Sequence, residues 1–483
     1  MIIHHKPFRP VEGCWDDGVP KKEFRLTIKD EQRRKKMVGK KMIWLGVAIL
    51  FSTLWVWGTA HAVSEIRIGQ IGPTTGWATM FGTEGLNGVK LALAERDYKF
   101  KGIPIKLFTE DTKADVEVMR TKLDSFKNRD KVHFIIGPSL GHEGMAAVDW
   151  GARNPDVPIL IGYSAPEDIT MRKATPSVIR PGWTGPQVIF HFGKFCAKDL
   201  GYKKVIIVGQ DYSYPWDQAA GFTRGFLENG GEKVERIWHP VDAVDFSSIM
   251  AKLTGMKKEY DAVLCNSGGA QVVAFFKQWY QFGLDKIYPQ ILGQANVPIV
   301  PMLTELGDMA LNVYSSLHYY DGNPSEANMK FRESYLKAYG IYPSVIAVQG
   351  YDAVRVAFKA MEAIDGKVDD PKAFITAVRQ VKMRENESPR GPFYFDKFGN
   401  PVQNIYIKKV VKKDGKLMNI AVKTYKNVSQ FGPYAAMPEK YMAQPATSRE
   451  YPPGNKDDYF REIEKYFGKN YMAELKKNNG WKE

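Results

Sequence analysis

The stretch IRIGQIGPTTGWATMFGTEGLNGVKLAL, residues 66–93, joins a strand pattern to an amphipathic helix pattern. Residues 65–72 alternate between apolar and other side chains and end before Pro73, which predicts a β-strand. Apolar residues then recur at helical spacing within 84–98, which predicts a helix. The stretch therefore predicts a strand–loop–helix unit, the building block of an α/β fold.

Similar units recur along the chain. A first run reaches Ile161, and a second run restarts after Arg180-Pro181-Gly182. Strands alternating with helices predict an α/β protein with parallel sheets, and two runs of similar order predict two Rossmann-like lobes. From Lys423 the pattern changes to a polar, Pro- and Tyr-rich tail, followed by a charged helix predicted over 457–477.

Residues 37–62, MVGKKMIWLGVAILFSTLWVWGTAHA, have the features of a secretory signal peptide. Two lysines precede about 17 mostly apolar residues, and Ala60-His61-Ala62 offers a small-x-small cleavage site. Cleavage there would place the chain from about Val63 onward outside the cytoplasm. No cysteine lies near the site, which argues against a bacterial lipid anchor.

The position of this signal leaves two interpretations open. Residues 1–36 are polar and basic, so Met37 is a candidate for the true start. In the alternative, 1–36 is a cytoplasmic arm and the apolar segment is retained as a membrane anchor, since its length is near that of a spanning helix. The cleavage site and the strand that follows at once favour cleavage.

Composition describes a globular, mildly basic protein. The net charge is +14, and residues 1–62 hold 12 basic against six acidic residues, so the remainder carries +8. No nucleic-acid motif accompanies this charge. A disulfide between Cys196 and Cys265 is permitted outside the cytoplasm, but the helix and strand patterns around them disfavour it.

No catalytic pattern is found in the sequence. A Gly-x-Ser-x-Gly elbow and a phosphate-binding P-loop are both absent, and Gly69-Gln70-Ile71-Gly72 lacks the third glycine of a dinucleotide turn. The histidines after residue 62 are dispersed, without metal-ligand spacing. We therefore expect no catalytic residue, no metal and no cofactor.

Loops that follow the predicted strands carry glycines, hydroxyl groups and aromatic rings. In open parallel sheets, ligands bind beyond the carboxyl ends of the strands, where loops meet helix N-termini. Glycines let backbone N–H groups approach an anion there, and rings enclose an apolar body. Core packing explains each ring about equally well. The loops are 72–82, 137–142, 162–166, 211–216 and 266–269, with Trp77, Phe81, Ser139, Gly141, Tyr163, Ser164, Ala165, Tyr214, Trp216 and Gly268 as candidate binding residues.

These motifs, in this order, resemble the type 1 periplasmic substrate-binding proteins of ABC transporters, in the branched-chain amino acid (Leu/Ile/Val-binding) group. Residues 66–93 resemble the opening of that family, and FIIGPSLG (134–141) resembles its second signature. Later motifs follow in family order: VPILIGYSAP (157–166), KKVIIVGQDYSYPWDQA (203–219), DFSSIMAKLTGMKKEYDAVL (245–264), QGYDAV (349–354) and GPFYFDKFGN (391–400). The resemblance spans about 64–425.

The resemblance implies two lobes joined by a three-stranded hinge, which close on a small ligand and deliver it to an ABC permease of the inner membrane. It places one lobe at 64–182 plus 317–390 and the other at 183–316 plus 391–425, with 426–483 as an irregular or helical C-terminal extension. A periplasmic monomer without nucleic-acid partners is expected. Whether the extension packs across the lobes or contacts a partner stays open.

When the family's ligand-binding positions are carried over to this chain, several of the polar side chains that bind the ligand are replaced. Phe81 falls where amino-acid binders place a ring, and Gly141 falls on or beside the serine that binds the ligand carboxylate. Pro166 takes the place of a threonine that does the same. Gly268 stands near a family ring, and Ala295 about where an acidic residue holds the ammonium.

A buried ammonium without a counter-charge costs several kcal/mol. The sequence therefore favours a larger or less polar acid or amide over a standard branched-chain amino acid, held by Trp77, Phe81, Tyr163, Tyr214 and Trp216. Two other classes stay open: a sensory ligand-binding module anchored by residues 42–60, and an exported enzyme whose acid–base pair the sequence does not show.

Overall fold

The computed structural model describes residues 63–479 except 258 and 289. The expected signal peptide at 37–62, the segment 1–36 and the anchor alternative at 42–60 lie outside these residues. Among the helices of the described residues, none is long and apolar enough to cross a membrane.

Strands and helices alternate through most of the described chain. The strands are β1 (Ile66–Gly72), β2 (Lys99–Phe100), β3 (Ile103–Asp111), β4 (Phe134–Ile136), β5 (Ile159–Leu160), β6 (Val178–Ile179), β7 (Lys204–Gln210), β8 (Lys233–His239), β9 (Ala262–Asn266), β10 (Ile291–Gly293), β11 (Tyr314–Leu317), β12 (Lys382–Met383), β13 (Phe393–Phe395), β14 (Pro401–Lys413) and β15 (Lys416–Val428). The α-helices are α1 (Thr79–Ala94), α2 (Val116–Ser125), α3 (Gly141–Arg153), α4 (Gly185–Lys198), α5 (Ser213–Leu227), α6 (Ser247–Met256), α7 (Ala270–Gln281), α8 (Val300–Leu306), α9 (Glu326–Tyr339), α10 (Val345–Ala363), α11 (Pro371–Gln380), α12 (Pro438–Met442), α13 (Lys456–Phe467) and α14 (Lys469–Asn479).

The first sheet has the order β2–β3–β1–β4–β5–β6 and, with its helices, forms the first lobe. Its pairs are parallel except β2–β3. Helices α9, α10 and α11 return to this lobe, since α9 and α10 pack on α1 and α11 packs on β6. The central strand β1 is almost fully buried, which fits a parallel sheet covered on both faces.

The second sheet has the order β12–β13–β14–β11–β10–β9–β7–β8, with β15 paired to β14. Its centre, from β8 to β11, is parallel, and the strands from β12 to β15 add an antiparallel edge. Helices α5 to α8 connect its parallel strands, and α4, which precedes β7, completes the second lobe. The chain passes between the lobes after β6, after β11 and after α11.

One helix pair in each lobe packs through glycines. A β-carbon on Gly88 of α1 would lie 2.0 Å from the carbonyl oxygen of Ala347 in α10. In the second lobe, a β-carbon on Gly225 of α5 would lie 1.8 Å from the carbonyl oxygen of Phe190 in α4. Both distances are far below van der Waals contact, so larger residues at these positions would force the helices apart.

The C-terminal extension packs on α4 and α5 of the second lobe. Rings from it, including Tyr434, Tyr441 and Tyr459, are buried in one apolar cluster with Phe190 and Phe226. Gly454 accepts a 2.8 Å hydrogen bond from the backbone N–H of Val234, which attaches the extension to β8 as well.

The α/β class, the two lobes built on mostly parallel sheets and the helical extension are confirmed. The lobe boundaries at 182, 316 and 390 stay predictions. The two cysteines of the described residues, Cys196 in α4 and Cys265 in β9, are free and buried.

Three local predictions are wrong. Helix α1 begins at Thr79 rather than at Glu84, so Phe81 lies in its first turn. The loop predicted at 211–216 is shorter, because helix α5 begins at Ser213. The tail does not begin at Lys423, because β15 continues to Val428 by pairing with β14, and its many lysines obscure the alternation expected of a strand.

Candidate functional site

A cavity lies between the carboxyl ends of the strands of the two sheets. The space open to the centre of a water molecule is about 30 Å³, so the two walls lie close together in this structure. The cavity is lined by Phe81, Ser139, Leu140, Gly141, Tyr163, Ala165, Gln210, Tyr212, Tyr214, Pro215, Ser267, Gly268, Gly269, Gln294, Asn296, Ile299 and Met302.

The first lobe supplies one wall through three connections. Phe81 stands in the first turn of α1, after β1. Ser139 to Gly141 follow β4, and Tyr163 to Ala165 follow β5. Since β1, β4 and β5 are parallel neighbours, their carboxyl ends bring these residues to one edge of the sheet.

The second lobe supplies the other wall in the same way. Gln210 to Pro215 follow β7, Ser267 to Gly269 follow β9, and Gln294 to Met302 follow β10. Gln210 is fixed at both ends of its amide: Nε2 donates to the carbonyl of Val241 at 2.8 Å, and Oε1 accepts from the N–H of Gly268 at 2.9 Å. This wall is therefore rigid before any ligand arrives.

The lining contains no charged side chain and no histidine among the described residues. Helices α3, α5 and α7 begin at or beside the lining residues Gly141, Tyr212 and Gly269. The N-terminus of a helix carries a partial positive charge and free N–H groups. The cavity is thus suited to a negative group and offers no counter-charge to a positive one.

Within residues 63–479, apart from 258 and 289, no group of three His, Cys, Asp or Glu side chains lies close enough to hold a metal ion.

Tyr163 is packed between the rings of Phe81 and Trp183. Its ring centroid lies 5.6 Å from that of Phe81 and 4.8 Å from that of Trp183. Burial raises the pKa of the Tyr163 phenol well above its ordinary value, so the group stays protonated and can donate. Tyr163 lines the cavity, and its buried hydroxyl has no hydrogen-bond partner among the described residues.

The two walls approach each other at two glycines. A β-carbon on Gly268 would lie 3.9 Å from Cζ of Phe81 across the cleft. A β-carbon on Gly141 would lie 3.0 Å from Oγ of Ser213, whose hydroxyl is buried and without a partner. Ser213 thus places a hydroxyl from the second lobe beside Gly141, where the family resemblance implies a serine.

The structure brings seven of the predicted binding residues to the cavity: Phe81, Ser139, Gly141, Tyr163, Ala165, Tyr214 and Gly268. The other four lie outside its lining. The side chain of Trp77 is 56% exposed, and that of Ser164 is buried behind the wall. Trp216 donates from Nε1 to Asp211 at 3.0 Å, and the N–H of Ala295 donates to Gln218 at 3.2 Å.

Sequence reasoning did not single out the polar residues of the second wall. Gln210, Gln294 and Asn296 all lie at or just after the ends of strands. Their position at the strand ends is the feature of the sequence from which they could have been predicted. Tyr212 and Ser213 belong to the predicted loop 211–216, but the sequence did not indicate them as binding residues.

Comparison with known proteins gives a consistent result. Residues 65–416 match the family described as "Periplasmic binding protein". Leu/Ile/Val-binding protein homolog 6 of Brucella melitensis biotype 1 is 30% identical over 375 residues, which cover 76% of this chain and 93% of the relative.

Two solved structures share the fold at useful identity. A solute-binding protein of an ABC transporter from Rhodopseudomonas palustris BisB5, in complex with 3,4-dihydroxybenzoic acid, has a TM-score of 0.71 at 30% identity and covers 76% of this chain and 99% of its own. A solute-binding protein of an ABC transporter from R. palustris HaA2, in complex with p-hydroxybenzoic acid, has a TM-score of 0.71 at 26% identity and covers 77% and 100%.

Proposed function

Since the chain belongs to the periplasmic binding protein family, as a substrate-binding protein of the ABC transporter class, we propose that its ligand is an aromatic carboxylic acid. The carrying observation is the charge-free lining of the cavity, in which rings face three helix N-termini. A carboxylate would be stabilised by those N–H groups, and an aromatic body by the rings.

An α-amino acid fits the same cavity poorly. Its ammonium would be buried between the lobes without an acidic partner in the lining, and a buried unpaired charge costs several kcal/mol. Ala295, at the position expected for that partner, has no polar side chain, and its carbonyl accepts a hydrogen bond from Lys408 at 3.2 Å. The charged side chain that contacts Ala295 is therefore a lysine and not an acidic residue.

The two R. palustris proteins support this ligand class, because each is described in complex with a hydroxylated benzoic acid. The similarity covers about three quarters of this chain. An aromatic acid is also the kind of ligand that the uncharged, ring-rich lining of the cavity would bind.

Capture would depend on contacts that both lobes make with one ligand. Phe81 and Tyr163 belong to the first wall, and Tyr212 and Tyr214 to the second. A ligand that touches both walls binds the closed arrangement better than an open one and so shifts the equilibrium towards closure. No bond-making step is needed for this role.

Calorimetry with purified protein tests the ligand class. We expect benzoate or a hydroxybenzoate to bind at micromolar or lower Kd, and leucine, isoleucine and valine to bind at least about a hundredfold more weakly, as a missing counter-charge costs several kcal/mol. Nanomolar binding of leucine would refute the proposal.

We further propose that the protein acts in the periplasm as a monomer and delivers its ligand to an ABC permease. The signal pattern at 37–62 supports export. Amino-terminal sequencing of the mature protein would separate this from an anchored sensory module: a start near Val63 is expected, whereas an intact 42–60 segment would favour the anchor.

A further inference from the structure

Four residues of the second wall form a chain of hydrogen bonds that fixes the orientation of each group. Nε2 of Gln294 donates to the carbonyl of Ser267 at 2.9 Å, and Oε1 of Gln294 accepts from the backbone N–H of Asn296 at 2.8 Å. If the Gln294 amide were turned the other way, its NH2 group would face the N–H of Asn296, and its oxygen would face the carbonyl oxygen of Ser267. The Gln294 oxygen is therefore fixed towards Tyr214.

The hydroxyl of Tyr214 in turn fixes the orientation of the Asn296 amide. It lies 3.3 Å from Oε1 of Gln294, which can only accept, so the hydroxyl proton points there. Burial raises the pKa of Tyr214 well above its ordinary value, so that proton is retained. Its oxygen then accepts from Nδ2 of Asn296 at 2.9 Å. The remaining polar atom, Oδ1 of Asn296, has no partner among the described residues.

Asn296 is only 5% exposed and lines the cavity. A buried carbonyl oxygen without a donor is destabilising, so the chain keeps at this wall an acceptor that a ligand can satisfy. A carboxylate cannot satisfy it, because both groups accept. An ammonium could donate, but the lining lacks the negative charge it would need.

We propose that Oδ1 of Asn296 accepts a hydrogen bond from a hydroxyl group on the ring of the ligand, and so selects hydroxylated aromatic acids over unsubstituted ones. The inference rests on the proposed function, since it assumes an aromatic acid in this cavity. Sites built to bind a hydroxyl reject analogues that lack it, because the polar group of the site is then left unpaired.

Calorimetry with benzoate and with 2-, 3- and 4-hydroxybenzoate tests this inference. We expect one hydroxybenzoate to bind about tenfold or more tightly than benzoate, the scale of one buried hydrogen bond. Asn296→Leu should remove that preference by weakening the hydroxybenzoate about tenfold while leaving benzoate within about threefold. Benzoate thus serves as the internal control for folding and for the rest of the cavity.

Tyr214→Phe provides a second, milder variant. It removes the hydroxyl that orients the Asn296 amide but leaves the acceptor in place, so the preference should fall by about threefold without disappearing. This variant keeps the test decisive if Asn296→Leu fails to fold.

The outcomes separate the two proposals. Equal affinity for benzoate and all three hydroxybenzoates, or an equal loss for both ligand types in Asn296→Leu, would overturn the role of Asn296 and leave the aromatic-acid proposal standing. Tightest binding of 4-aminobenzoate would likewise overturn the hydroxyl assignment. Failure of every aromatic acid to bind the wild-type protein would overturn the proposed function itself.

Discussion

The cleft and the C-terminal extension are both rich in buried tyrosines, but they differ in how the polar groups are paired. In the cleft, the hydroxyls of Tyr163 and Ser213 have no partner among the described residues. In the extension, the hydroxyls of Tyr434 and Tyr459 donate to Glu228. Because an unpaired buried hydroxyl is costly, the hydroxyls of Tyr163 and Ser213 are available to a ligand, whereas those of Tyr434 and Tyr459 hold the extension in place.

The extension also binds both lobes at once. Tyr441 donates to Glu167 of the first lobe at 2.8 Å, and Arg172 of the same lobe donates to the carbonyl of Gln444 at 3.0 Å. Arg224 of the second lobe donates to Oε1 of Gln444 at 2.7 Å, and Thr447 donates to Asp217. The extension residues that make these contacts lie beyond the region that matches the family, which ends at residue 416.

Removal of the extension should have the largest effect. A chain that ends at Val428 would expose the apolar surface of α4 and α5 and leave the buried Arg224 without Gln444 and the Tyr441 ring, whose centroid lies 5.1 Å away. Arg224 gains water once the extension is gone, so the main loss is apolar burial, at about 1.5–3 kcal/mol for each large side chain that becomes exposed. Circular dichroism should show a Tm lowered by roughly 10 °C or more.

A shorter truncation is the matched control. Ending the chain at Gly468 removes α14 but keeps Tyr434, Tyr441 and Tyr459, so the fall in Tm should be clearly smaller. Equal Tm values for the full chain and the chain ending at Val428 would contradict a structural role for the extension.

The two regions each contain a buried glutamate whose pKa is raised to about 7, mainly by desolvation: Glu84 in the first lobe and Glu228 under the extension. A carboxyl with a raised pKa binds a proton in the folded state that it releases when unfolded. Each therefore stabilises the fold below about pH 4.5, and that contribution is lost as the pH rises towards 7. From the shift of Glu228, the loss amounts to about 3 kcal/mol at most.

Glu228→Gln should reduce the difference in Tm between pH 5 and pH 8, because an amide imitates the protonated acid at every pH. Thermal melts across this range measure the effect, and Glu84→Gln is the counterpart in the first lobe. A pH profile that Glu228→Gln leaves unchanged would show that Glu228 is ionised throughout the range.

A Tyr→Phe exchange in the extension should have a moderate effect on stability and none on binding. Tyr441→Phe deletes the hydroxyl that donates to Glu167 and leaves that buried carboxylate one donor short. Loss of a hydrogen bond to a charged group costs about 1.5–3 kcal/mol, which denaturant titration can measure. Unchanged stability would mean that Arg172, which also contacts Glu167 at 3.0 Å, is sufficient alone.

Periodicity predicted the fold because each strand–helix unit leaves its own pattern in the sequence. The loops that line the cavity followed from the rule on carboxyl ends of parallel strands. Periodicity could not distinguish the rings: Tyr163 lines the cleft and Tyr434 packs in the extension, yet both are tyrosines in loop-like sequence. The two tyrosines differ in whether the hydroxyl has a hydrogen-bond partner, and such a partner comes from residues distant in sequence.

The same limit explains why Asn296 was missed while Ala295 was named. The family resemblance pointed to the position of an acidic residue, and the polar side chain that lines the cavity stands one residue later. Its importance comes from the fixed amide of Gln294 and from Tyr214, 82 positions before it in the chain. No local pattern around residue 296 carries that information.

The smallest change is expected from Tyr163→Phe, the counterpart of the exchange at Tyr441. The deleted hydroxyl has no partner among the described residues, so stability should stay within about 1 kcal/mol of wild type or rise slightly. Binding of the tightest aromatic acid should weaken about tenfold, because Tyr163 lines the cavity and its protonated phenol can donate to the ligand carboxylate. Calorimetry and denaturant titration on the same samples separate the two effects. A loss of stability with unchanged affinity would place Tyr163 with the structural tyrosines of the extension and remove the distinction between the two regions.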